Sequence, residues 1–445
     1  MARHSRRSFL ARAAAVPLSC CTPNQLEVTA SPFGQLQPDP AGILNLPAGF
    51  QYHILSRTGD LMNDGYLVPS ACDGMAAFDL GNGKVALIRN HELNPNDDRP
   101  TAFGSSKPRE FTRSTITYDT GKRNIYPDGG TSTLIYDMNT RQVIDQRMSL
   151  MGTVRNCAGG PTPWGTWITC EEEVIPAGGP LAKHGYCFEV HPTQGGNPNP
   201  IKRLGFFRHE AIAFLPQGHI AYLTEDRWDS VFYRYLLDKP HEIHGGGKLQ
   251  ALALLGYEDT TNHLKQSFPI RQQVTARWID IDDPDPEGDT LRSFARTRGA
   301  AVFCRGEGVT CDGSAIFFAC TEGGHKKLGQ IFRYVPSPAE GTPAEADSPG
   351  HLELFVESDD PRMMAMCDNL CMAPTGDLVV AEDSKNNSQR LLGVNVHGKV
   401  YPIAEHIANR SELAGCTWSP DGSTLFFNVF HPGVTMAITG PWPAV

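Results

Sequence analysis

The sequence predicts an all-β fold, a six-bladed β-propeller with a metal-lined central channel, and three observations carry that prediction. Its 445 residues are 40% hydrophobic but include 44 Gly and 34 Pro, enough turn formers to divide the chain into short strands rather than long helices. One hairpin pattern recurs six times: an acid or amide, an apolar run, a Gly-bearing turn, a second apolar run and a terminal acid or amide. Tens of residues separate the copies, and many precede a further strand-like run, so each copy suits one four-stranded blade set radially around an axis.

Taken in chain order, residues 1–21 read as a twin-arginine export signal, with Ser5-Arg6-Arg7-Ser8-Phe9-Leu10 leading into the weakly apolar ARAAAVPLS. A basic N-terminal tail is the alternative. Cys20 or Cys21 is a candidate lipid anchor, although its flanks fit such a site poorly. Residues 22–45 are polar and Pro-rich and are expected to form a linker, leaving 46–445 for the propeller. The first hairpin is DGMAAFDLGNGKVALIRNHE, from Asp73 to Glu92, and the second is NCAGGPTPWGTWITCEE, from Asn156 to Glu171 and Glu172. RHEAIAFLPQGHIAYLTED carries Glu210 near its start and Glu225 and Asp226 at its end. Next come EGVTCDGSAIFFACTE (Glu307 to Glu322), DNLCMAPTGDLVVAED (Asp368 to Glu382 and Asp383) and ELAGCTWSPDGSTLFFN (Glu412 to Asn428). SVFYRY (230–235), QIFRYV (330–335) and LLGVNV (391–396) supply further strands.

Equivalent positions of successive blades face one axis, so the acids should converge there. Two carboxylates about 7 Å apart repel by roughly 2 kcal/mol at an effective dielectric of 20. Such a ring needs cations or protons; acids solvated at the surface would need neither. Carboxylates alone suit calcium, magnesium or manganese, whereas Cys157 on the same ring favours a softer transition metal. His91 and His209 immediately precede Glu92 and Glu210, and since adjacent strand residues face opposite ways they are expected to support these acids from behind. Arg305 stands two positions before Glu307, spacing that aims its guanidinium toward the carboxylate, either to bind an anionic ligand or to close an internal salt bridge. Arg155, Arg208 and Arg227 are weaker candidates for the channel rim.

The formal charge, 39 − 49 = −10, and the lack of any basic run argue against nucleic acid as a partner. No apolar stretch reaches the roughly 18 residues needed to cross a bilayer. Of the twelve cysteines, Cys170, Cys187, Cys304, Cys320 and Cys416 lie in apolar runs as small core residues, while Cys311 and Cys320 flank one hairpin and are candidates to pair. The sequence has neither a Gly-x-Ser-x-Gly elbow nor a His-Glu-x-x-His motif, leaving a serine hydrolase or zincin without support.

From about residue 46 to the end, DGMAAF with NHE, NCAGGPTPWGTWITCEE, RHEAIAF with TED, RGAAVFCRGEGV, and DNL with AED resemble the PhoX-type alkaline phosphatases, as does the twin-arginine leader. The string CAGG-x-TPWGT-x-x-x-CEE is the most specific of these. The resemblance implies an exported, periplasmic or extracellular propeller that hydrolyses small phosphomonoesters, with two ferric ions (Fe3+) and two to three calcium ions (Ca2+) bridged by an oxygen species at its centre. It makes Cys157 an iron thiolate ligand, Glu210, Glu307 and Asp368 the iron carboxylates, and Glu92, Glu171, Glu172, Glu225 and Glu382 calcium or shared ligands, without dividing these between the metals. Arg305 matches the phosphate-contacting arginine, so Arg305, Cys157 and Glu307 are the expected catalytic residues. Gly306 departs from the family, which carries proline there, and the short connections between hairpins leave substrate range open. The fold could act as a monomer, with the export machinery as its protein partner. A calcium-dependent lactonase or esterase on a six-bladed scaffold, which would not need Cys157, and a non-catalytic metal-stabilised binding propeller are the alternatives.

Overall fold

The computed structural model describes residues 29–105 and 114–443. The expected export signal, Cys20 and Cys21 lie outside the described residues. All six hairpins form where the repeat places them, and each begins with an inner strand: Cys72–Gly81, Asn156–Pro161, His209–Phe214, Gly306–Cys311, Cys367–Met372 and Leu413–Trp418. These inner strands touch one another in sequence, and the last touches the first, so they enclose an axis. Outward from each inner strand the chain meanders antiparallel, as in Cys72–Gly81, Lys84–His91, Gly129–Asp137 and Gln142–Thr153.

Hydrogen bonding gives five sheets, because Gln273–Asp280 pairs with both Gly247–Leu254 and His351–Glu357 and joins two four-stranded units into one nine-stranded sheet. In another unit, Leu36–Gln37 and Leu44–Pro47, the first within and the second bordering the segment expected to be a linker, add two strands beyond Val400–His406. The last sheet takes its outermost strand from near the start of the domain, Gln51–Arg57 pairing with Val434–Thr439. This propeller-like ring is therefore closed by backbone hydrogen bonds between its two ends.

Sheets stacked face to face must be apolar on both sides. Lys84–His91 shows the consequence, being buried at every position after its first. Apolar clusters fill the gap between each unit and the next: Met75, Leu87 and Phe426 between last and first, Ile88, Trp167 and Phe188 between first and second, and Tyr222, Phe232 and Phe318 where the nine-stranded sheet folds on itself. Phe232 and Phe318 stack with ring centroids 4.1 Å apart.

Toward the axis, the inner strands are too close for side chains. A Cβ on Gly74 would lie 2.6 Å from Ala158 Cα, and one on Gly308 would lie 2.6 Å from the Leu370 nitrogen. This glycine collar narrows the channel beneath the acids. Every inner-strand pairing also carries a bulge near its start, between Cys72 and Met75, Asn156 and Gly159, His209 and Ile212, Gly306 and Val309, Cys367 and Leu370, and Ala414 and Thr417. A bulge leaves a residue unpaired and re-aims its side chain. The first unpaired residues are Asp73, Cys157, Glu210, Glu307 and Asp368, with Gly415 at the sixth position.

Candidate metal centre

The bulged residues point to the axis, and a second set reaches in from the strand that follows each. Four groups of three share members: Asp73, Glu92 and Cys157; Cys157, Glu172 and Glu210; Glu210, Glu307 and Asp368; and Asp368, Asp383 and Glu412. Within each group the ligand atoms lie within 4.8 Å of one another. The Cys157 Sγ is 3.1 Å from Glu210 Oε1 and 3.6 Å from Asp73 Oδ2. Asn90 steadies this part of the ring, its amide donating to the carbonyls of Cys157 (2.9 Å) and Ala158 (2.6 Å) while its oxygen accepts from Trp167 Nε1.

The crowding perturbs titration in one direction. Burial first, and then neighbouring carboxylates, push Asp73, Glu172, Glu210 and Glu307 well above the usual carboxylate range, and raise Asp368 to about 7. The Cys157 thiol is also pushed well up, by burial and then by Asp73 and Glu210. Glu210 Oε2 is buried without any hydrogen-bond partner. An orphaned carboxylate oxygen beside a thiol and further acids is the donor set that a multivalent cation completes.

Two arginines enter from equivalent positions. Ala71, Arg155, Arg305 and Met366, each two residues before a bulged ring residue, have left-handed φ values of 52°, 47°, 53° and 56°. Their carbonyls accept from the backbone N–H of Glu92, Glu172, Thr321 and Asp383 at 2.9 to 3.0 Å, locking the chain on either side of the centre. Arg155 pairs with both Glu92 and Glu172. Arg305 forks onto Asp226 through Nε (2.8 Å) and Nη2 (2.9 Å), and also meets Glu322 (3.1 Å) and Glu307 (3.2 Å). Arg208 and Arg227 pair instead with Glu173 and Asp289.

The structure brings together Cys157, Glu210, Glu307, Asp368, Glu92 and Glu172, and turns three of the expected ligands, Glu171, Glu225 and Glu382, away from them. Glu171 is held by His184 Nδ1 (2.6 Å) and the backbone N–H groups of Val154, Gly185 and Tyr186. Glu225 lies against Arg292 and Tyr233, and Glu382 is bound by Arg390 and the N–H of Ala365. The reason is strand alternation. Glu171, Glu225 and Glu382 end their strands in register with Asn156, His209 and Cys367, the residues just before the ring positions, and share their outward face. The next residues, Glu172, Asp226 and Asp383, turn to the axis instead. That alternation was the available signal for Asp226 and Asp383; the role of Asn90 left none.

The two histidines also turn into the walls, His91 Nδ1 and Nε2 lying 3.1 Å from the Ser70 carbonyl and 2.8 Å from Ser132 Oγ, and His209 Nε2 donating to the Gly205 carbonyl at 3.0 Å. The sixth copy offers no acid on the ring. Gly415 occupies that place at a φ of 60°, where a Cβ would lie 2.4 Å from the Asp73 carbonyl oxygen, and Glu412 reaches the centre from farther back. Cys311 and Cys320 are unpaired, standing opposite Ile316 and Gly306 on different rungs of their hairpin.

The family profile described as Alkaline phosphatase PhoX matches residues 31–433. The chain belongs to the PhoX alkaline phosphatase family. It is accordingly a phosphatase, and this membership displaces the lactonase and non-catalytic alternatives. No curated protein sequence matches the chain. Among solved structures, Pseudomonas fluorescens PhoX in complex with vanadate, a transition-state analogue, superposes with a TM-score of 0.69 at 17% identity over 93% of this chain and 98% of that one. XC5397, a gluconolactonase from Xanthomonas campestris, gives a TM-score of 0.37 at 11% identity, over 84% and 97%. In this PhoX-family chain no described helix is long and apolar enough to cross a membrane.

Proposed function

We propose that this chain is an exported phosphomonoesterase whose centre holds iron and calcium together, with each unit of the ring counted as one of six blades. The observation that carries this reading is the run of four overlapping three-ligand groups across the channel, one thiol among carboxylates. Cys157, Glu210, Glu307 and Asp368 would hold iron, because the thiolate suits a softer transition metal; Glu92 and Glu172, with Asp73, Asp383 and Glu412, offer hard oxygens suited to calcium. Bound there, the metals supply Lewis acidity toward the phosphoryl oxygens and lower the pKa of water.

Arg305 supplies the protein's own charge. A guanidinium has five N–H donors; hydrogen bonds to Asp226 and Glu322 occupy three and Glu307 lies within ion-pair reach of Nη2, leaving the second Nη1–H for a phosphoryl oxygen. Asp226 grips it at two points and so fixes the plane of the fork, orienting the free donor before substrate arrives. In the transition state this donor neutralises charge on an equatorial oxygen. The glycine collar narrows the channel behind the centre, and the acids and both arginines lie on the other side of it.

Elemental analysis of purified protein, coupled to a phosphomonoesterase assay with and without added calcium, tests the reading. Iron and calcium should copurify with activity. A colourless, iron-free preparation with full activity would refute the assignment of Cys157. Export by the twin-arginine route follows from Arg6 and Arg7 in residues 1–21, and R6K/R7K should keep the protein in the cytoplasm.

A further inference from the structure

An open cleft of about 690 Å3 is lined by Trp228, Glu258, Asp259, His263 and Arg296. Two connections tie it to the centre. Trp228 stands two residues beyond Asp226, which holds Arg305, so the chain between them spans at most about 7 Å. On the other wall, His263 Nε2 donates to the Glu322 carbonyl at 2.8 Å, and the Glu322 carboxylate meets Arg305. Both walls of the cleft are thus tied to partners of Arg305, Trp228 through Asp226 and His263 through Glu322.

The lining has a particular chemistry. Trp228 is 54% exposed, the Lys327 ammonium lies 5.6 Å from its ring centroid, and His263 stands edge-on to it. Glu258 and Asp259 are exposed carboxylates, which accept hydrogen bonds and cannot donate them. An indole face beside carboxylate acceptors matches a molecule that is apolar on one face and carries hydroxyl donors on its edge. An aryl group would use the indole and desolvate the acids without pairing them, and a simple alkyl group would use neither.

We propose that this cleft receives the alcohol portion of the substrate and that this portion is a sugar ring, its C–H face on Trp228 and its hydroxyls donating to Glu258 and Asp259. The inference rests on the phosphatase reading of the neighbouring centre.

Steady-state kinetics of the metal-loaded enzyme on glucose 6-phosphate, phenyl phosphate and ethyl phosphate test it. Trp228→Ala should lower kcat/KM for glucose 6-phosphate about tenfold, the scale of losing one aromatic contact surface, while the other two esters change less than about twofold. Trp228→Phe should restore most of the loss. Equal losses on all three esters, a loss confined to phenyl phosphate, or no loss at all would overturn the proposal. If the wild-type enzyme hydrolyses none of the esters, the phosphatase reading fails on its own, and a fluorescence titration decides the cleft. Glucose 6-phosphate should then change indole emission in the wild type but not in Trp228→Phe, and an unchanged wild-type spectrum would overturn the sugar assignment.

Discussion

Stripping the multivalent cations should make this protein less stable as pH rises, opposite to the acid denaturation usual for proteins with paired carboxylates. Ligand oxygens of Glu210, Glu307 and Asp368 lie within 4.8 Å of one another. Two unit charges at that distance repel by about 3.5 kcal/mol at an effective dielectric of 20, so three ionised groups cost about 10 kcal/mol, comparable with the whole net stability of a folded domain. Without cations the acids must keep protons, and Asp368 accordingly sits at about 7 rather than 3.8, through burial and then Asp383. Because the folded value exceeds the unfolded one, its stabilising contribution is complete below about pH 4 and disappears as pH climbs through about 7. A shift of about 3 units corresponds to about 4 kcal/mol, and halving it for water at the channel mouth leaves about 2 kcal/mol from this residue alone.

Thermal unfolding after exhaustive chelation, at pH 5 and pH 8, measures the effect. About two of these units are lost between pH 5 and pH 8, so at about 2 °C per kcal/mol for a domain of this size Tm should fall by about 3 °C or more, and reloading with iron and calcium should remove most of the fall. Asp39 and Asp97, both held at about 2 by hydrogen bonds that outweigh burial, change charge below this window and do not interfere. His184, held at about 9 by Glu171 and Asp119 against its burial, loses its contribution above neutrality in either metal state, so the loaded sample subtracts it. A chelated protein with a flat Tm across this range, or a loaded one just as pH-sensitive, would refute the argument that cations relieve this crowding.

Cys157→Ala should bleach the visible charge-transfer band expected of a ferric thiolate and remove iron, read by absorbance and elemental analysis together. Arg305→Ala should lower kcat by about 100-fold while metal content stays near normal, on the scale of losing one transition-state donor; unchanged turnover would take Arg305 out of the mechanism. Gly308→Ala should destabilise by about 2 kcal/mol, since its Cβ would meet backbone at 2.6 Å, and differential scanning calorimetry measures this. Glu171→Gln should cost about 3 kcal/mol by removing the nearer of the two carboxylates that hold buried His184, yet retain bound metal, whereas Glu172→Gln should lose metal with a smaller change in Tm once chelated.

Much of this molecule was legible in the sequence because the repeat couples two periodicities. Alternating apolar runs placed all six hairpins, and acids at their ends placed the centre. Sequence was least informative at Glu171, Glu225 and Glu382, where two acids stand side by side, since it shows that one must face the axis but not where the strand stops and turns. The bulges decide this, and they depend on contacts with the neighbouring unit, as the approach of Gly74 to Ala158 shows. Arg155 was undervalued for a related reason. Its convergence on Glu92 and Glu172 follows from a left-handed backbone that no pattern of side chains announces.

The pairing of Gln51–Arg57 with Val434–Thr439 has a bearing on biosynthesis. This clasp cannot form until the chain has been made as far as Val434, so the two ends of the ring of acids, Asp73 in its first unit and Glu412 in its last, are held in one closed ring only after both have left the ribosome. A polypeptide truncated before Val434 lacks this closure, and should hold any metal bound by the ring of acids more weakly than the closed ring does.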